Sequence, residues 1–169
     1  KGFFPAKPSD QPEWVKEVGF GRQSVAITLE NCYDDWCMSI LAKELNKEED
    51  YQYYLKRALN YQNVFDTATG FMRPKTADGR WIEPFDPIWS GGQGRREFYT
   101  ENNGWNYTWY VPHDVEGLIC LMGGREKFTD KLQTMFETNV PLYQKYDFLK
   151  QYPDMTGWIG MYSHGNEIT

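Results

Sequence analysis

A chain of 169 residues with a net charge of −6 is the size of one ordinary domain, long enough to bury a core without disulfide staples. Its acidic balance and lack of any basic run exclude a nucleic-acid partner, which needs a cationic face to displace counterions. No apolar run approaches the ~18 residues that a membrane span requires. The opening stretch "KGFFPAKPSDQPEW" has no apolar h-region and is not read as a signal peptide. Aromatic residues make up 17% of the chain, with seven Trp and twelve Tyr, many beside Asn, Asp, Glu or Gly. Rings with a polar handle suit a surface that is apolar on one side and wet on the other. A sugar site fits that description, because C–H patches stack on rings while amides and carboxylates take hydroxyls. Composition alone leaves a tyrosine-rich helical surface equally open.

Residues 1–20 hold three of the nine prolines and no periodicity, and read as an extended arm lying on the rest. From Ser24, a good N-cap type, apolar residues at Val25, Leu29, Cys32, Trp36 and Ile40, with Ala26, Tyr33, Cys37 and Leu41, mark a long amphipathic helix. Asn46 ends it. A second helix follows with Tyr51, Tyr54, Leu55, Ala58, Leu59 and Val64 on one side, and the short link makes the pair antiparallel. "DTATGFMRPKTADGRWIEPFDP" breaks the rhythm, and "ADGR" predicts a small β-hairpin around 71–83.

The Gly-rich "SGGQGRREF" lacks the Lys-Ser/Thr ending of a phosphate loop. A helix interrupted at Pro112 comes next, capped by Gly123 and Gly124. Then comes "REKFTDKLQTMFE", with Phe128, Leu132, Met135 and Phe136 as its buried face, and a short helix near Leu142 to Lys150. Helix pairs with polar loops gathered at one end suggest part of an α/α toroid, and four or five helices cannot close such a ring. The odd trio Cys32, Cys37 and Cys120 makes no disulfide framework; all three are expected as buried small hydrophobes.

The richest stretch is "YTENNGWNYTWYVPHD", Tyr99 to Asp114. Glu101 follows Thr100, a possible N-cap, and so reads as a first-turn acid facing the helix dipole. Its neighbours Tyr99, Trp105, Tyr107 and Trp109 allow a second reading, in which low dielectric raises the carboxyl pKa so that it can protonate a leaving oxygen. Amides at Asn102, Asn103 and Asn106 would then orient a substrate. His113 and Asp114 are adjacent and do not face each other on a helix, so a structural hydrogen bond from His113 is the simpler expectation. Of Asp34 and Asp35, one is free to face solvent. "HGNE", His164 to Glu167, suits a sugar hydroxyl or a hard cation.

Four stretches in this order carry a family resemblance: "YDDWCMSILAKELNKEEDYQYYLKRALNYQNVFDTATGFMRPK", "EPFDP", "YTENNGWNYTWYVPHDVEGLICLMGG" and "YSHGNE". From about Gly21 onward the chain resembles the catalytic domain of glycoside hydrolase family 92, the bacterial α-mannosidases. The resemblance implies a mainly α fold, an (α/α)6 barrel of antiparallel helix pairs, of which 21–169 would be a partial domain and 1–20 its arm. It implies an exo-acting, calcium-dependent, inverting enzyme that releases terminal α-linked mannose, α-1,2-linked by preference, from mannan or N-glycan chains. The family's "TEGNAWQYTW"-like motif reads here as Thr100 to Trp109, which makes Glu101 the general acid. Asn102, Asn103, Trp105, Tyr107 and Trp109 would then bind substrate.

The "HGNEPSHH"-like loop matches at His164, Gly165, Asn166 and Glu167, with Ile168 and Thr169 in place of Pro-Ser. It implies substrate contacts from His164, Asn166 and Glu167, and calcium ligands in Asn166 and Glu167. Family members are several times longer, and their general base lies past the point matching Thr169. The segment is therefore expected to need the missing parts of its parent chain as partners, and to lack activity alone. The periplasm or surface of a bacterium, or secretion, is the implied location. A carbohydrate-binding helical module without catalysis is the alternative, and an α/α-barrel enzyme acting on glucans or uronates a third.

Overall fold

A computed structural model describes residues 1–7, 14–15, 20–21, 23–88, 98–100, 102–142 and 147–158. Within the arm, the Ala6 N–H donates to the Lys75 carbonyl (2.7 Å) and the Phe4 N–H to the Thr28 hydroxyl (3.0 Å). The arm thus lies on both the first helix and the segment past residue 70. Strands β1 (Trp14–Val15) and β2 (Phe20–Gly21) pair antiparallel just before that helix.

Helix α1 spans Ser24–Glu44. The expected N-cap does not form: Gln23 occupies the cap position without a side-chain bond, and the Ser24 hydroxyl is buried with no partner. The Phe98 carbonyl instead accepts the N–H groups of Val25 (3.1 Å) and Ala26 (3.2 Å), filling the role that an N-cap side chain ordinarily plays. Asn46, at φ +55°, stops the helix as expected; asparagine tolerates this left-handed conformation better than most residues. Helix α2 (Glu48–Ala58) runs back along α1 and tightens into a 3-10 turn, Leu59–Val64. Lys43 sits over the Tyr51 ring and Arg57 pairs with Asp35 at 3.0 Å; contacts that move up one helix while moving down the other fix the antiparallel sense.

The hairpin falls slightly earlier than 71–83. Strand β3 (Phe65–Asp66) pairs with β4 (Phe71–Met72) across a turn ending at Gly70, φ +73°. The "ADGR" turn does form, but it closes on a single bridge between Lys75 and Trp81. The reason for the shift lies in Asp66. Its carboxylate takes the Ala68 N–H, the Thr69 hydroxyl and the buried Arg73 guanidinium (2.8 Å), while Arg73 also reaches Glu83 (2.6 Å) and the Ile82 carbonyl (3.0 Å). One ion-paired acid therefore organises both turns.

Helix α3 (Gly104–Tyr107) and helix α4 (Val115–Met122) are separated at Pro112 as expected, and α4 ends on Gly123 in the left-handed conformation (φ +91°). Helix α5 (Arg125–Glu137) buries Met135 and half-buries Phe128 and Leu132. Phe136 is 52% exposed and instead stacks on Trp158 (5.2 Å). Strand β5 (Asn139–Pro141) pairs antiparallel with β6 (Thr156–Trp158). Where a helix was expected near 142–150, the described residues form a 3-10 turn, Asp147–Gln151.

One core cluster gathers Val25, Leu29, Cys32, Tyr61, Met72 and Leu118, and a second gathers Phe71, Trp105 and Met135. Cys32 is buried, and burial pushes its thiol up to about 12. Cys37 and Cys120 are exposed, contrary to expectation; five residues along a helix turn a side chain about 140° away. No helix among the described residues is long and apolar enough to cross a membrane.

Two predictions test the Asp66–Arg73 pair. Arg73→Met leaves a buried carboxylate without its cation, and urea denaturation is expected to show a loss of about 3–5 kcal/mol. Burial works to raise the Asp66 pKa, but the bonds from Arg73, Ala68 and Thr69 outweigh it and hold the carboxyl below its ordinary value of 3.8. A depressed carboxyl stabilises the fold above its unfolded pKa and loses that contribution as pH falls through the folded one. Thermal midpoints of wild type should therefore fall more steeply below pH 3.8 than those of Asp66→Asn; parallel curves would show that Asp66 carries no such linkage.

Candidate functional site

Phe98 to Trp109 is tied to the start of α1 on one side and to the core on the other. Beyond the Phe98 carbonyl, the Thr100 hydroxyl donates to the Gln23 side-chain oxygen (2.6 Å), and the Tyr107 hydroxyl reaches the Thr100 carbonyl (3.4 Å). Tyr99 is buried and donates to the Met72 carbonyl (2.6 Å); burial pushes its phenol far up. Glu101, the expected general acid, lies outside the described residues, as do His164, Asn166 and Glu167.

Thr100 does not cap a helix. Asn103 does: its side chain accepts the Asn106 N–H (3.1 Å) and donates to the Ile88 carbonyl (3.3 Å), and the residue is 0% exposed. Asn102, half-buried, accepts the Asn103 N–H through its side-chain oxygen (3.0 Å). A Cβ on Gly104 would meet the Tyr99 hydroxyl at 3.2 Å and Pro87 at 3.3 Å, so the glycine lets α3 sit tightly against both.

The helix then splits its aromatic residues between two faces. Trp105 is 8% exposed and meets Phe71 edge-on (4.9 Å). Trp109 meets Phe128 edge-on (5.2 Å) and donates its indole N–H to the Met135 sulfur (2.9 Å). Lys131 lays its ammonium over Phe71 (3.3 Å) and Trp105 (4.6 Å), and burial lowers its pKa to about 8. Positions four apart share a helix face, and here that face is the core. Tyr107 points the other way, towards Tyr99 (5.7 Å), Tyr110 (6.2 Å) and Glu30 of α1.

That side forms a wall of rings and acids which sequence reasoning had not assembled. Tyr33 and Trp36 of α1 stack nearly parallel (5.9 Å, 20°), and Tyr110, 38% exposed, leans edge-on to Tyr33 (6.5 Å). Burial beside the rings raises the Glu30 carboxyl, nearby Asp34 raises it further, and the Tyr107 hydroxyl works against both. Burial takes the Tyr107 phenol up to about 12. The signal available in the sequence was Glu30, Tyr33, Asp34 and Cys37 at spacings of three and four, one stripe on α1.

The other candidate groups have structural partners. The His113 Nε2–H donates to the Ala58 carbonyl (2.9 Å), the expected structural bond. Asp114 caps α4 through the Gly117 N–H (3.0 Å) and accepts the Tyr61 hydroxyl (2.7 Å). Asp35 is buried against Arg57 while Asp34 is exposed; burial raises the Asp35 carboxyl despite that guanidinium. Among the described residues no group of three or more His, Cys, Asp or Glu could hold a metal ion.

Its matches place the chain among glycoside hydrolases built on α/α barrels. Its whole length, residues 1–169, matches the glycosyl hydrolase family 92 catalytic domain, and the chain belongs to that family. It is similar to a family GH92 α-mannosidase from Bacteroides thetaiotaomicron solved in complex with mannoimidazole: 38% identity, TM-score 0.70, covering 83% of this chain and 17% of that one. A family GH92 inverting mannosidase from the same organism matches at 35% identity and TM-score 0.64, over 86% of this chain and 18% of that one. An uncharacterized secreted glycosidase of Arthroderma benhamiae is 32% identical over 161 residues, 82% of this chain. The chain spans 20% of the length of that curated relative.

Asp114→Ala separates a structural from a chemical role for the His113–Asp114 pair. It strips the α4 cap and removes the carboxylate that takes the buried Tyr61 hydroxyl, so chemical denaturation should show a loss of about 2 kcal/mol. An unchanged midpoint would return this pair to the list of chemical candidates.

Proposed function

We propose that this chain is part of the catalytic domain of an exo-acting α-mannosidase that releases terminal α-1,2-linked mannose from mannan or N-glycan chains with inversion. The observation that carries the reading is the family match over residues 1–169, joined to the firm seating of the residues on either side of position 101. In this reading Glu101 is the general acid, protonating the glycosidic oxygen as the bond to the anomeric carbon breaks. Asn102 and Tyr107 take part in holding the sugar. Asn103 fixes the start of α3, and Trp105 and Trp109 support the wall from the core side. His164, Asn166 and Glu167 contact the sugar from the far loop.

Inversion requires a second carboxylate about 6.5–9.5 Å away, activating a water on the opposite face of the ring. We assign that base to a longer parent chain. Calcium belongs to the same proposal, with Asn166 and Glu167 as its oxygen ligands. Export from the cell, to a bacterial periplasm or surface, completes the reading, and the secreted description of the curated relative supports it.

The test is mannose release from α-1,2-, α-1,3- and α-1,6-linked mannobioses, with calcium and with a chelator. The 169-residue chain is expected to release none, whereas a longer chain containing it releases mannose until the chelator is added. In that longer chain Glu101→Gln should lower turnover about 10²–10⁴-fold. Release by the short chain would disprove the outside base, and a fully active Glu101→Gln would disprove the acid.

A further inference from the structure

We propose that the cavity between the N-terminal arm and the first two helices is a second sugar-binding site, which takes one hexose unit on the side of α1 turned away from the wall. The proposal rests on the mannosidase reading for the choice of sugar, and on the cavity's own geometry for the site.

The cavity has a volume of about 270 Å³. Helix α1 lends it Thr28, Asn31, Cys32 and Asp35, one stripe at spacings of three and four. Each stands two residues before a member of the stripe Glu30, Tyr33, Asp34 and Cys37. Two residues turn a helix by about 200°, so the stripes lie on opposite faces. The arm closes the cavity from above. The Phe4 N–H donates to the Thr28 hydroxyl (3.0 Å), and the Gly2 carbonyl accepts the Asn63 side-chain amide (3.2 Å). Gly2, at φ +71°, comes so near that a Cβ would meet the Asn60 side-chain oxygen at 2.6 Å and the Asn63 nitrogen at 2.7 Å. Glycine is what brings the arm in this close.

The lining selects a neutral polyol. Arg57 of α2 gives Nε to Asp35 (3.0 Å) and Nη1 to the Tyr53 hydroxyl (2.9 Å). The ion pair cancels its own charge, which favours neither an anion nor a cation. Capacity is left over. Among the described residues Arg57 Nη2 and the second Asp35 oxygen have no protein partner, and Asn31 uses only its N–H, on the Ile27 carbonyl (2.8 Å). Donor and acceptors stand side by side, which suits hydroxyls, since each hydroxyl is both. Phe4 and Tyr53 line the same cavity and stay 38% and 56% exposed. Such rings offer an apolar face to the C–H side of a sugar. The volume lies just under the ~300–1,000 Å³ usual for drug-sized ligands, and so limits the occupant to one hexose unit.

The experiment titrates the 169-residue chain with methyl α-D-mannoside, methyl α-D-glucoside and sodium acetate, following side-chain amide and tyrosine ring resonances by NMR. Saturable shifts at Asn31 and Tyr53 are expected with the mannoside, and none with acetate. Asn31→Ala removes an acceptor and Tyr53→Ala a ring; each should weaken binding at least tenfold. Gly2→Ala keeps every polar group of the lining and should weaken it as much by displacing the arm. Tyr107→Phe, in the wall, should leave these shifts unchanged. Circular dichroism melts confine the comparison to folded chains.

The proposal is overturned by the absence of saturable shifts at Asn31 and Tyr53, by acetate producing the same shifts, by wild-type affinity in both alanine variants, or by loss of the shifts in Tyr107→Phe. Tighter binding of the glucoside, with the Asn31→Ala and Tyr53→Ala losses intact, would support the sugar site and count against the mannosidase reading that chose the sugar.

Discussion

The Phe98 carbonyl, accepting two N–H groups from the first turn of α1, is the bond on which the rest of the site depends. A helix start leaves N–H groups that must find partners, and α1 has no cap of its own: Gln23 makes no cap bond and the Ser24 hydroxyl faces inward, unpaired. Moving the Phe98–Thr100 segment would therefore uncap the longest helix in the chain. The same segment carries Tyr99 into the core, where its hydroxyl holds the Met72 carbonyl of β4. Helix α1, the β3–β4 turn and the motif after Thr100 are thereby locked together at one point.

From that point the short helix α3 and the residues after it sort rings by what each can tolerate. Trp105 and Trp109 are given to the core, where edge-on contacts with Phe71 and Phe128 and the bond to the Met135 sulfur use their large apolar area. Tyr107 and Tyr110 stay on the α1 side, where a hydroxyl has polar company. The polar character of Tyr99 to Asp114 thus has two origins. Asn103 and Asp114 are helix caps, and their side chains are occupied by backbone N–H groups. Asn102 and Tyr107 remain at the edge of the wall.

The sequence made α1, α2 and α5 legible because their apolar spacing is local, and it made the stops at Asn46 and Gly123 legible because a left-handed residue is chosen for its own backbone. It misled wherever a distant partner took over. Ser24 has the chemistry of a cap, but a carbonyl from elsewhere in the chain got there first. Phe136 lies on the apolar stripe of α5, yet Trp158 draws it outward. Cys37 was placed inside with Cys32, although only one side of α1 is covered by α2 among the described residues. The site divides in the same way. The motif around Thr100 to Trp109 was readable as a resemblance, because it is one continuous stretch. Its assignment of faces, and the arrival of Glu30 beside Tyr107, depend on the crossing of two elements far apart in sequence.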